Sequence, residues 1–135
     1  AMIRLHHVQV AMPAPGLGDD DLAPTRRFYV EGLGLTEVDK PDALTPRGGA
    51  WFRAYDASGA VVAEVHVGVE DPFAPARKAH PAFVLDSVNE LERAADRLAG
   101  LGFRVDWRER HALPPYERFH TRDGHGNRVE VLATG

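Results

Sequence analysis

The chain contains no cysteine. Disulfides, thiol nucleophiles and cysteine metal sites are therefore excluded, and the redox compartment is left open. No apolar run approaches the ~20 residues of a membrane span. The opening Ala1-Met2-Ile3-Arg4 lacks the apolar core of a signal peptide, so a cytoplasmic enzyme or binding protein without a membrane partner is expected. Clustered positive charge is also missing. The net charge is -4 and the basic residues are scattered, apart from Arg26-Arg27 and Arg77-Lys78. That argues against a nucleic-acid partner, which needs grouped Lys and Arg to neutralise phosphates. There is no nucleophile motif, phosphate loop or HExxH helix.

What is present suits one domain spanning 1–135. A chain of 135 residues buries roughly two-thirds of its unfolded surface. Ile3 to Met12 reads as a strand, closed by Pro13-Ala14-Pro15-Gly16. Asp19 to Asp21 suit the start of a helix, with Pro24 in its first turn and Gly32 and Gly34 at its end. Strands are expected at 35–38, 50–55 and 61–69, the last two joined by the turn Asp56-Ala57-Ser58-Gly59.

The order then repeats. Ala82 to Leu85 reads as a strand, and Ser87-Val88-Asn89-Glu90 as a capping box. The helix that follows buries Leu91, Ala94, Ala95 and Leu98. Three more strands are expected at 103–107, 116–121 and 128–133, the last pair joined by Asp123-Gly124-His125-Gly126-Asn127. The pattern is β-α-β-β-β twice, in half-repeats of about 3–70 and 80–133. Local echoes agree: Gly32-Leu33-Gly34-Leu35 matches Gly100-Leu101-Gly102-Phe103.

Histidine and carboxylate suit divalent first-row metals, and a 2-His-1-carboxylate set leaves positions open for substrate. Period-2 alternation leaves His6 and His7 as equal candidates in the first strand. Glu64 and His66 share one face of a strand flanked by valines, where burial is costly unless they are paired or metal-bound. Glu130 alternates with Val129 and Val131 in the last strand. His111, His120 and His125 lie near or in loops and read as surface residues. Trp51, Phe52, Phe83 and Phe103 read as core.

Four segments together resemble the vicinal oxygen chelate superfamily, which includes glyoxalase I, extradiol dioxygenases, fosfomycin-resistance enzymes and bleomycin-resistance proteins. They are Leu5-His6-His7-Val8-Gln9-Val10, Arg27-Phe28-Tyr29 with Gly32-Leu33-Gly34-Leu35, His80-Pro81-Ala82-Phe83-Val84, and Asp123-Gly124-His125-Gly126-Asn127-Arg128-Val129-Glu130. The last is similar to the family's terminal "DPxGNxxE", with Gly124 where Pro is usual. The resemblance implies an α+β fold of two βαβββ modules forming a cupped mixed sheet around a central site. It places His7, His80 and Glu130 on metal-ligand positions, for a divalent ion such as Fe, Mn, Ni or Zn. Glu64 or His66 falls on a fourth position, which in some branches also acts as base. Arg47, Arg77 and Arg118 are candidate anion contacts for a small-molecule substrate. Homodimers with shared sites are the assembly implied. The implied activity is that of a metal-dependent lyase, isomerase or dioxygenase. The other reading is a metal-independent protein that sequesters an antibiotic, as in the bleomycin-resistance branch.

Overall fold

A computed structural model describes residues 2–16 and 21–135. Asp19 and Asp20, expected at the start of the first helix, lie outside the described residues. Among the described residues, seven strands form two sheets. In the first, β1 (Val8–Met12), β4 (Val61–Val69), β3 (Ala50–Tyr55) and β2 (Thr36–Val38) lie side by side in that order. In the second, the order is β5 (Ala82–Val84), β7 (Arg128–Ala133) and β6 (Glu117–Arg122). The β1–β4 and β5–β7 pairs are parallel and the others antiparallel. The fold is thus α+β with mixed pairing, divided into sheets of four and three strands. No helix among the described residues is long and apolar enough to cross a membrane.

The first helical segment, α1 (Ala23–Arg26), continues as a wider π-helical stretch, Arg27–Gly32. Gly32 is needed where this stretch meets the second helix, since a Cβ there would lie 2.5 Å from Leu98 Cδ2. The second helix, α2 (Val88–Gly100), starts as its sequence dictates: the Ser87 side chain accepts from the Glu90 N–H. Leu91, Ala94, Ala95 and Leu98 are its buried face. Both sheets and both helices feed one apolar cluster, which includes Met12, Phe28, Phe52, Val67, Leu98 and Val131. Each large side chain in it contributes about 1.5–3 kcal/mol by leaving water.

Two expected strands are shorter than the sequence suggested. Residues 3–7 form no strand, and Ile3 and Leu5 are 95% and 82% exposed. The parallel register begins at Val8 opposite Val65, so residues 3–7 do not run along the part of β4 that extends back to Val61. Alternation in sequence marks a strand only where the chain stays on a ladder. The expected strand at 103–107 shrinks to one bridge between Asp106 and His120. The Asp106 carboxylate accepts from the Arg108 backbone N–H at 3.0 Å, an Asx-type turn that leads the chain off the ladder. Unforeseen is a 3₁₀ segment, Asp42–Arg47, ahead of β3.

The β6–β7 turn ties these parts together. Asp123 accepts from Tyr29 Oη at 2.7 Å and from the backbone of His125 and Asn127 at 3.0 and 2.9 Å. Asn127 donates to the Ala11 carbonyl at 2.7 Å and accepts from the Ala76 N–H at 2.9 Å. Burial, reinforced by the Asp123 charge, pushes the Tyr29 hydroxyl well above its ordinary pKa, so it remains a donor. A Cβ at Gly124 would lie 2.3 Å from the Pro24 carbonyl oxygen; the proline usual in similar turns would strike the start of α1. Replacing Asp123 or Asn127 by alanine leaves buried donors unpaired. Each should lower unfolding stability by about 3 kcal/mol in urea titrations. A loss below about 1 kcal/mol would show that the turn does not hold the parts together.

Candidate functional site

Alternation sends every second residue of the inner strands away from the core, and two polar clusters result. On the first sheet, Phe52, Val65 and Val67 point into the core. Glu64 and His66 lie on the opposite face of β4 yet are only 6% exposed each. They are paired: Glu64 Oε2 is 2.6 Å from His66 Nε2, and Glu64 Oε1 accepts from Arg53 Nε at 2.7 Å. Burial raises the Glu64 pKa, but the hydrogen bonds from His66 and Arg53 outweigh it and hold the carboxylate below its ordinary value. Burial is also the main force on His66 and depresses its pKa despite Glu64.

His66 is the middle ring of a stack. Trp51, its cross-strand partner, lies at 3.8 Å between centroids, and His7 at 4.0 Å on the other side. Trp51 is therefore not the core residue expected; parity gives that place to Phe52 and turns Trp51 to the polar face. A cavity of about 540 Å³ opens here, with His7, Trp51 and His66 in its wall and Arg47 supplied by the 3₁₀ segment. Glu64 is not in that wall; it stands behind His66.

On the second sheet, Val129, Val131 and Ala133 of β7 point into the core, and Glu130 lies on the other face. His80, just ahead of β5, approaches it with Nε2 3.0 Å from Glu130 Oε1. The other ring nitrogen, Nδ1, donates to the Lys78 carbonyl at 2.6 Å. In the neutral ring this leaves the Nε2 lone pair facing a carboxylate oxygen, which calls for a proton or a cation between them. His120 joins the pair with Nε2 3.4 Å from Glu130 Oε1. Arg118 donates to the same oxygen at 3.3 Å and to the Glu109 carbonyl at 3.2 Å.

His120 was expected at the surface but is 8% exposed. It lies within β6, not beside a loop, and is the direct cross-strand partner of Glu130. Counting outward from the Asp123–Asn127 turn could have found it: Arg122 pairs with Arg128, and two steps on His120 meets Glu130. Burial, with Arg128 nearby, depresses its pKa, so the ring is a neutral donor at pH 7.

One donor atom from each of His80, His120 and Glu130 lies within 4.8 Å of the others. Two ligands about 2.1 Å from a metal, at angles from octahedral to tetrahedral, are about 3.0–3.4 Å apart. The 3.0 and 3.4 Å separations from Glu130 Oε1 match those edges. This donor set fits a divalent metal ion. Of the three residues expected as ligands, the fold brings His80 and Glu130 together, while His7 lies with the cluster of the first sheet.

The sequence profile described as Glyoxalase/Bleomycin resistance protein/Dioxygenase superfamily matches residues 4–131. A search of curated proteins gave no match. Among solved structures, a protein described as a glyoxalase family member from Bacillus anthracis is 35% identical, with a TM-score of 0.78 over 100% of this chain and 98% of that one. The fosfomycin resistance protein FosX from Listeria monocytogenes shares the fold at 14% identity, with a TM-score of 0.67 over 100% of this chain and 94% of its own. A glyoxylase/bleomycin resistance protein/dioxygenase domain from Frankia sp. EAN1pec does so at 17% identity and a TM-score of 0.67, over 100% and 94%. With its motifs, fold and sequence profile in agreement over nearly its whole length, the chain belongs to the glyoxalase/bleomycin resistance protein/dioxygenase superfamily.

Proposed function

We propose that the protein is a metal-dependent enzyme of the glyoxalase/dioxygenase type, acting on a small oxygenated molecule held through two oxygens. The observation that carries this reading is the meeting of His80, His120 and Glu130 at separations a coordination shell requires. Fe, Mn, Ni or Zn bound there would supply Lewis acidity toward the substrate oxygens. A structure of the fold relative FosX complexed with Mn(II) supports the choice of a divalent ion.

In this reading the chain is one domain of two related halves, about 3–70 and 80–133, and two copies form a homodimer. His7 completes the ligand set with His80 and Glu130 from across that dimer, and His120 stands beside them as a further donor. The exposed Ile3 and Leu5 next to His7 support a surface meant for a second copy. Arg118 holds the Glu130 carboxylate in place, and Arg47 lines the cavity of His7 to contact substrate. Of the two groups on β4, His66 faces the cavity and is the proton carrier. Glu64, with both oxygens engaged, orients the His66 ring.

Protein purified without a chelating tag should bind one divalent ion per chain. His80→Ala and Glu130→Gln should weaken that binding by more than about 100-fold, beyond the usual loss for an outer-shell residue. If none of Fe, Mn, Ni or Zn is taken up, the enzyme reading fails and antibiotic sequestration takes its place.

The dimer is checked by mixing two defective proteins, His7→Ala and Glu130→Gln, after subunit exchange. Random pairing restores about a quarter of the sites if each is shared between copies. No recovery would place His7 outside the site or in its own chain's centre.

With a substrate in hand, His66→Ala should lower kcat about 100-fold while metal affinity stays within about two-fold of wild type. Oxygen uptake with catechols and loss of hemithioacetal absorbance assign the branch of chemistry.

A further inference from the structure

The basic residues are scattered in sequence, but the fold gathers five of them. Arg77 comes from the loop before β5, Arg104 and Arg108 from the stretch after α2, Arg122 from the end of β6 and Arg128 from the start of β7. They line one cavity of about 540 Å³ on the second sheet. That volume is within the usual range for a small-molecule site. His120 is in its wall as well as in the metal-binding group, so the cavity adjoins the candidate metal centre.

Charge in this cavity is poorly balanced from within. Arg108 is neutralised by Asp106, at 2.6 Å between Nη2 and Oδ2. The one other carboxylate in the wall, Glu109, is 54% exposed and divided among His120, Arg118 and Arg128, at 3.6, 3.8 and 3.9 Å. Among the described residues, Arg77, Arg104 and Arg122 have no carboxylate at ion-pair distance. Arg122 is nonetheless held in place, since its Nη1 donates to the carbonyls of Ala76 and Gly126 at 3.3 and 3.0 Å. Like charges gathered around a concavity repel one another and focus a positive potential inside it. The chain as a whole carries a net charge of -4, so the excess is local and enclosed. It suits a small anion and not a nucleic-acid strand, which needs an extended basic track.

We propose that this cavity is the subsite for a doubly charged oxyanion on the substrate, such as a phosphate ester, held by Arg77, Arg104, Arg122 and Arg128. A dianion matches the number of unneutralised guanidinium groups better than a single carboxylate, and guanidinium forks suit its oxygens. The word substrate rests on the proposed metal-enzyme reading; the anion site itself does not.

The test is titration calorimetry of inorganic phosphate into the whole 135-residue chain stripped of metal by EDTA, at pH 8 and low salt. One saturable site per chain is expected. Arg104→Ala and Arg128→Ala should each weaken it about ten-fold or more, and acetate should bind at least about ten-fold more weakly than phosphate. Arg93→Ala, on the exposed face of α2, should change nothing. Because Arg104 is exposed and makes no ion pair, its replacement tests the site without disturbing the fold. The proposal is overturned by no saturation up to about 20 mM phosphate, by equal loss in Arg93→Ala, or by acetate binding as well as phosphate. Metal uptake is measured separately. Phosphate binding without metal uptake removes the metal-enzyme reading and keeps the anion site; metal uptake without phosphate binding does the reverse.

Discussion

The buried hydrogen bonds of Asp123 and Asn127 are the constraint on which the rest of the molecule depends. Two side chains in one five-residue turn reach β1 through Ala11, the π-helical stretch after α1 through Tyr29 and the loop before β5 through Ala76. Those contacts link segments 51 to 116 residues away along the chain. Apolar burial alone would tolerate several arrangements of two sheets around one core. Directional bonds that are costly to leave unmade select one.

The same turn also sets the chemistry. By closing the β6–β7 hairpin at Asp123 it fixes the register that puts His120 opposite Glu130. By fixing the loop at Ala76 it leads the chain into β5 at a place where His80 meets the same carboxylate. His120 and Glu130 thus stand on paired strands, with His80 just ahead of β5, on the side of the sheet away from its apolar core. On the other sheet, the β3–β4 hairpin does the corresponding work for Trp51 and His66. Polar groups buried on a strand's outer face are tolerated in both places because each has a partner.

Much of this was legible in the residues. The N-cap at Ser87, the hairpin turns at Asp56 and Asp123 and the alternation in β4 and β7 depend on local chemistry, and the structure contains each of them; the reciprocal half of the expected capping box is not made, since the Glu90 carboxylate pairs with Arg93. His80 and Glu130 were legible through motifs and do meet. His120 was missed because nearness to a turn was read as exposure, although hairpin register was available to correct it. Trp51 was read by hydrophobicity when parity with Phe52 decided its face. β1 is shorter than its alternation suggests because residues 3–7 do not stay beside β4, and local pattern carries no information about that. The cluster of arginines was invisible for a related reason: four separate segments supply it, and only the assembled fold brings them to one cavity.

On the proposed function, His80 and Glu130, with His120 beside them, are metal ligands and not merely a buried hydrogen-bonded group. Anomalous scattering from crystals grown with Mn(II) tests it most directly. One strong peak per chain is expected at bonding distance from His80 Nε2 and a Glu130 carboxylate oxygen. No peak there, with the His80–Glu130 contact intact, or a peak bound only by other residues, would contradict it.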